Sequence, residues 1–377
     1  MTLDRSTVHG VMPTPDPFEA RLQHQVVGMK RQLGILTDGV RSAFTREMEP
    51  AFITAQGRAP QSRREVAALM QGHPTYRAWS DLQMLAQQAM WHAVGHTIMR
   101  ERDRITAEAA RLRAERPAGG ILTLDPGISR PDDVFVTDIH GQPGGYMRDE
   151  GPDDILAGAF YELGGNLYTF GAGTGRTDSK AAVVIAHYER IALDQRPRRI
   201  LDVGCSVGGS TLPYKHAFPE AEVCGIDVAP ALLRYAHARA ESLGYAVHFS
   251  QVNAVQAGFE NESFDLIVAH NLMHEVSTPS LRRILAETHR MLAPGGITLL
   301  QDVPVAYARM SPIEQFISGW QTEHNHEPHW DAYATCDVPA LLREAGFAKE
   351  RINEARLARF AGPGVWYVVS AAKGHAN

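Results

Sequence analysis

Side chains able to move protons stand where apolar runs end. His270 and Asn271 close the run Phe264-Asp265-Leu266-Ile267-Val268-Ala269, His274 and Glu275 follow within a turn, and Asp302 ends residues 297–301. Ligands of open α/β sheets lie outside the carboxyl ends of the strands, so a general base belongs here. Histidine can serve as one near neutral pH; His270 is the first candidate and His274 the second. A second cluster, Trp320-Gln321-Thr322-Glu323-His324-Asn325-His326-Glu327-Pro328-His329-Trp330, gathers three histidines and two carboxylates. His324-x-His326 has the spacing of a chelate. The same residues suit a substrate-binding lid, and a polar surface loop has this composition too. Trp320, Trp330 and Tyr333 favour an apolar or ring-containing ligand.

The elements that must position these groups begin at Asp202-Val203-Gly204-Cys205-Ser206-Val207-Gly208-Gly209, which follows the apolar run Ile200-Leu201. This reads as a strand, a tight glycine turn and a helix start. Glycine lets the backbone adopt conformations a Cβ resists and come close to a ligand, and the exposed N–H groups of the helix start can face a polar group. Residues 221–227 read as a second strand ending in Asp227, 25 positions after Asp202. A carboxylate at that place accepts hydrogen bonds from ribose hydroxyls in nucleotide-binding folds. Residues 264–271 form a further strand, and Met291-Leu292-Ala293-Pro294-Gly295-Gly296 ends a helical stripe made by Leu281, Ile284 and Leu285.

In that order these motifs resemble the class I S-adenosylmethionine-dependent methyltransferases of the small-molecule type, over residues 161–372. The resemblance implies an α/β fold: a Rossmann-like seven-stranded sheet with helices on both faces, closed by an antiparallel pair at residues 357–360 and 364–370. It implies S-adenosylmethionine as cofactor. Asp202, Gly204, Cys205 and Gly208 would form the turn beside its methionine part, Asp227 and Val228 would hold the ribose, and Asn253 and Ala254 would meet the adenine. His270 would touch cofactor or substrate. Tyr161 and Tyr168 would close over the cofactor, or else be core or rim aromatics. His324, His326, Glu327, His329 and Trp330 would line the acceptor from a lid inserted at about 303–335. Two departures stand out: Ser206 where the family most often has glycine, and Asn253 where it usually has an acid. In this family a histidine at the position of His274 often has no direct chemical role.

Methyl transfer is an in-line displacement; the protein aligns the nucleophile, excludes water and removes a proton where the nucleophile carries one. The expected function is methylation of a small-molecule acceptor, in secondary or cofactor metabolism. The alternatives are a non-methylating reaction on the same fold, methylation of protein or RNA, and a partner subunit that only retains the fold. Against the macromolecular reading, Asn271-Leu272-Met273-His274 stands where an Asn-Pro-Pro-Tyr signature would. A nicotinamide enzyme would show Gly-x-Gly-x-x-Gly, which the turn lacks.

Length suits two domains: 377 residues. Residues 1–118 are expected as an N-terminal helical domain, 119–150 as a β-hairpin linker and 151–377 as the methyltransferase domain. Residues 1–16 read as a loose arm. Ser62 and Glu65 read as a capping box. Residues 81–99, with Leu82, Leu85, Met90, Trp91, Val94 and Ile98, are apolar on most faces and are expected to be buried, against the catalytic domain or as a homodimer surface. Residues 101–116 read as a solvated helix. A net charge of −6 argues against a nucleic-acid partner. No apolar run reaches membrane-span length, and three spaced cysteines with no metal pattern fit a reducing cytoplasm.

Overall fold

A computed structural model describes residues 8–128, 138–168, 179–192, 195–360 and 364–375. Residues 17–115 build α1 (Pro17–Ala43), a π-helical turn (Phe44–Met48), α2 (Glu49–Gln56), α3 (Arg63–Met70) and the long α4 (Pro74–Glu115). α1 starts at a complete capping box: Asp16 accepts from the N–H groups of Phe18 and Glu19, and the Glu19 side chain takes the Asp16 N–H. At α3 only half the expected box forms. Ser62 accepts from the Glu65 N–H at 3.3 Å, but the Glu65 carboxylate turns to Arg58 and the Gln61 N–H.

Two sequence expectations fail here. Residues 8–12 are no loose arm: His9, Val11 and Met12 are buried, and Arg104 donates to the carbonyls of Gly10 and Met12. On α4, Met90, Trp91, Val94 and Ile98 are buried, yet Leu82 and Leu85 are 41% and 56% exposed. The helix is one rod across both predicted segments. Its buried stripe therefore runs on through Ile105, Ala109 and Leu112, and the opposite stripe stays open.

Among the described residues eight strands, one more than expected, form one sheet: β1 (Leu122–Thr123), β2 (Arg199–Val203), β3 (Glu222–Asp227), β4 (His248–Gln251), β5 (Phe264–His270), β6 (Leu292–Asp302), β7 (Ile352–Ala358) and β8 (Val365–Ala372). Their order is β1-β4-β3-β2-β5-β6-β8-β7. β1 through β6 pair in parallel, and β8 runs antiparallel between β6 and β7. The extra strand is half of the expected hairpin. Leu122 and Thr123 pair in parallel with Phe249 and Ser250, so they extend the sheet. Asp138 precedes a 3-10 turn over Ile139–Gly141; residues 134–137, the rest of the expected second strand, lie outside the described residues. β2 and β5 are buried nearly throughout, as parallel strands covered on both faces must be.

Helices α5 (Leu156–Tyr168), α6 (Ser179–Ile191), α7 (Leu212–Ala217), α8 (Pro230–Ser242) and α9 (Thr278–Met291) complete the α/β layers, with α13 (Val338–Glu344) near the closing strands. Between β6 and α13 lie three short helices, α10 (Pro312–Ser318), α11 (Trp320–His324) and α12 (Trp330–Thr335). The N-terminal helices share a core with the α/β layers: Met90, Val94, Ile98, Ile105 and Leu112 pack with Phe160, Leu163, Leu232 and Tyr235. α5 approaches closely enough that a Cβ on Gly158 would stand 2.3 Å from Tyr235, and one on Gly164 2.4 Å from Trp91. A second shared core joins Phe44, Val66, Met70, Tyr76 and Trp79 to Ile313, Phe316 and Trp320 of the β6–α13 segment.

Candidate active site

The turn after β2 is built by backbone conformation. Gly204 and Gly208 have φ of +72° and +71°, and Ser206 holds +48° without being glycine. What keeps Ser206 there is Asp227: its Oδ2 accepts the Ser206 N–H at 2.9 Å while Oδ1 accepts the Ala229 N–H at 3.0 Å. Burial raises the Asp227 pKa above its ordinary value. A Cβ on Gly204 would come 2.8 Å from Leu272.

These residues edge a cleft whose walls include Gly204, Ser206, Asp227, Val228, Asn253, Ala254, Tyr161, His270 and Leu272. Asp202, Cys205 and Gly208, also expected to touch a cofactor, are not among the lining residues. Asp202 is 1% exposed and accepts the Thr211 hydroxyl at 2.6 Å, fixing the helix start from beneath. Cys205 is buried, and Gly208 faces Phe249, Leu212 and Ala236. Tyr168 lies off the cleft, its ring 5.3 Å from that of His140. Phe170 and the glycine run 171–175 lie outside the described residues. A carboxylate at a strand tip, two flanking backbone turns and apolar walls from Val228, Val252, Val255 and Ile284 fit a nucleoside-type group.

His270 stands on the wall with both ring nitrogens engaged. Gln301 donates through Nε2 to Asn271, so its Oε1 is left to accept from His270 Nδ1 at 3.2 Å. His270 Nε2 then accepts the Tyr214 hydroxyl at 3.0 Å. Burial lowers its pKa to about 3. A histidine so bonded has no free lone pair for a substrate proton, and the first candidate base is therefore ill placed.

His274 is placed differently. Its Nδ1 lies 2.5 Å from Asp302 Oδ1, at the end of β6. Asp302 is fully buried and also accepts the N–H groups of Met273 and Val303. The other ring nitrogen, Nε2, faces Glu275 at 3.6 Å and Glu327 at 3.7 Å. Burial opposes a charge on His274, but Asp302 and the two glutamates outweigh it and raise the pKa to about 10. Glu327 is 3% exposed, and its Oε2, the oxygen facing His274, is a buried atom without a hydrogen-bond partner. Burial raises Glu327 to about 8. Glu275 also lines the cleft and receives the Tyr146 hydroxyl at 3.2 Å, so it stands between the cleft and the buried side chains around His274.

The lid residues divide. Glu327 and Trp330 come to His274, the Trp330 ring edge-on at 5.6 Å. His329 bears electrostatically on Glu275. His324 packs on Trp320, and exposed His326 bonds the Asp138 carbonyl. The chelate pair thus points two ways, and among the described residues no group of three histidines, cysteines or acids has metal-holding geometry.

Sequence reading missed His140. It read as part of a turn, but its Nδ1 lies 3.2 Å from Glu327. Its carbonyl accepts from Gln87 and Trp91 of α4, at 2.7 and 2.6 Å. The signal available was weak: a φ of +56° at a residue other than glycine shows only once the chain is folded.

Residues 200–296 match the methyltransferase domain family. That stretch is similar to a methyltransferase domain. The demethylmenaquinone methyltransferase of Thermus thermophilus is 34% identical over 115 residues, 30% of this chain and 51% of that protein. The ubiquinone biosynthesis O-methyltransferase of Cereibacter sphaeroides is 28% identical over 39% of this chain and 59% of its own length. The match thus spans only half to three-fifths of those relatives. Among solved structures, a candidate O-methyltransferase of Nostoc punctiforme aligns over 96% of this chain and 100% of its own, at 16% identity and a TM-score of 0.47. Among the described residues, no helix is long and apolar enough to cross a membrane.

Proposed function

We propose that this protein transfers a methyl group from S-adenosylmethionine to a hydroxyl oxygen of a small-molecule acceptor. The observation that carries the reading is the His274–Asp302 contact, 2.5 Å, in a buried side-chain cluster that adjoins the cofactor cleft through Glu275 and that we take as the acceptor chamber. The cofactor supplies an electrophilic methyl group. Asp227 holds its ribose hydroxyls, the Gly204–Ser206 turn faces its methionine part, and Asn253 and Ala254 border its adenine. His274 Nε2 takes the acceptor's proton. Asp302 fixes the ring with Nε2 inward and stabilises the imidazolium, as a buried carboxylate does for a catalytic histidine. Glu327 closes the far side of the proton path. Trp330, Tyr146 and Tyr161 exclude water. An acceptor already deprotonated at neutral pH would need none of these groups, which is why a hydroxyl fits best.

The deciding experiment is stoichiometry: S-adenosylhomocysteine and methyl ether formed one to one. Turnover of the acceptor with no S-adenosylhomocysteine would favour the non-methylating reading.

The N-terminal helices serve the same site, because α4 holds His140 and the α1–α4 bundle seats the lid. The exposed stripes Leu82, Leu85 and Met99 of α4 and Met29 and Leu36 of α1 support a homodimer through this region. A monomeric mass by light scattering, unchanged in Leu85→Glu, would remove it. A cytoplasmic location accords with the three cysteines, none in a disulfide among the described residues.

A further inference from the structure

Part of the cofactor cleft is walled by a segment that belongs to no helix or strand. Tyr146 and Met147 line the cleft along with Gly204, Ser206 and Asp227, and residues 146–150 fall between the Ile139–Gly141 turn and α5. Both ends of the segment are anchored. Before it, Gln142 is buried, its carbonyl accepts the Gly145 N–H at 2.8 Å and its side chain donates to the Gly145 carbonyl at 3.0 Å. After it, the Asp154 carboxylate accepts the Leu156 N–H at 2.8 Å, at the start of α5. A glycine of positive φ stands at each end, Gly145 at +61° and Gly151 at +152°. Between the anchors two side chains tie the segment down. Tyr146 donates its hydroxyl to Glu275, itself a cleft residue, at 3.2 Å. Asp149 accepts from Arg234 at 2.7 Å. Arg234 stands on α8, which lines the cleft through Leu232. The two partners differ in burial: the Arg234 side chain is 8% exposed and that of Asp149 26%. Arg234 also bonds the Asp154 carbonyl at 3.0 Å. A carboxylate that water reaches loses little on letting go, and the guanidinium keeps the Asp154 carbonyl when it does, so this tie can break and re-form.

We propose that residues 146–150 are a flap that turns about Gly145 and Gly151, is latched by the Tyr146–Glu275 and Asp149–Arg234 contacts, and must release for S-adenosylmethionine to enter and S-adenosylhomocysteine to leave. The flap rests on the cofactor and not on the hydroxyl acceptor proposed above. Release of such a cover, and not chemistry, limits turnover in many enzymes. Breaking a latch speeds entry and exit together, whereas weakening a fixed wall speeds exit alone. The latches can be cut without touching the wall. Asp149 is not among the residues that line the cleft, and phenylalanine in place of Tyr146 keeps the ring and loses only the hydroxyl.

The test is the kinetics of S-adenosylhomocysteine binding to the full chain, read by surface plasmon resonance. Asp149→Ala should raise the dissociation rate about ten- to a hundredfold, the scale of one charge-assisted hydrogen bond. Tyr146→Phe should raise it about two- to tenfold, the scale of an ordinary one. Association should quicken in both variants, so that Kd changes by less than the dissociation rate. Dissociation unchanged in both overturns the proposal. So does faster dissociation with association unchanged or slowed, which describes a weakened wall and not a flap. If Asp149→Ala binds no ligand, Tyr146→Phe decides: quicker association and dissociation there support the flap, and any other result overturns it. The two readings fail separately. Wild type that binds no S-adenosylhomocysteine overturns the flap together with the cofactor. Latch-dependent exchange without methyl ether formation sinks the acceptor reading and leaves the flap.

Discussion

The cofactor cleft and the acceptor chamber share a wall at Glu275 and are built in opposite ways. The cleft draws its polar contacts from neighbouring strand tips: the turn after β2, Asp227 after β3 and Asn253 after β4. The chamber gathers His140, His274, Asp302 and Glu327 from segments scattered over the chain. A site built from local turns is fixed once the sheet forms. A site built from remote segments needs every segment docked. Changes in the chamber's docking should therefore alter acceptor handling and spare the cofactor, and changes in the cleft should do the reverse.

The largest effect should come from the base. His274→Ala should lower kcat by 10²–10⁴-fold, the usual range for loss of a general base, with cofactor Kd nearly unchanged. His270→Asn should leave kcat within a few fold, because its ring nitrogens are bound to Tyr214 and Gln301. Equal losses in the two variants would erase the division between chamber and wall.

Next in size is the cleft. Asp227→Ala removes both the ribose acceptor and the group that holds the Ser206 N–H, and should weaken cofactor binding about ten- to a hundredfold. Calorimetry should show this with acceptor affinity, measured on the cofactor-saturated protein, unchanged.

The pH profile separates the regions as well. A proton can pass to His274 only when the ring is neutral, and Asp302 with the glutamates raises its pKa to about 10. The rate should therefore climb as pH rises above neutrality, with the limb displaced upward from the ordinary histidine value of about 6.5. Asp302→Asn removes the raising charge, so the limb should move toward acid while the maximal rate falls. A limb at the ordinary histidine value in wild type would show that Asp302 does not act on the base. Cofactor affinity should not follow this limb, since His274 is not among the residues that line the cleft.

How much of this was legible beforehand follows the same division. Asp202, Gly204, Gly208 and Asp227 mark the sheet by spacing alone, because strand, turn and helix are local and their hydrophobic periods short. The sequence also located the tips of β5 and β6, and so named both histidines. It put His270 first, on position alone. His270 and His274 differ by their neighbours, and Gln301 and Tyr214 against Asp302 and Glu327 is a distinction of tertiary packing. Leu82 and Leu85 were expected to be buried because periodicity shows that a face is apolar and not what covers it. Ser206 departed from the glycine pattern, and its positive φ is held by a hydrogen bond to Asp227 that no local rule contains.

The smallest effect tests the chamber's dependence on remote docking. Trp320, in the segment that carries Glu327, donates its indole N–H to Ser80 of α4 at 2.9 Å, and both residues are buried. Ser80→Ala leaves that N–H unsatisfied, at a cost of about 1–3 kcal/mol. Neighbouring contacts limit the consequence: Trp79 lies edge-on to Trp320 at 5.7 Å, and Arg63 bonds Glu323 and Asp331. The lid should thus loosen without leaving. The expected outcome is a melting temperature lower by a few degrees, a raised KM for the acceptor and an unchanged cofactor Kd. Loss of stability with an unchanged acceptor KM would mean that the N-terminal bundle supports the fold but does not set the chamber. A cofactor Kd that rose in step would mean that cleft and chamber close as one unit, and that the local construction of the cleft is not enough to make it independent.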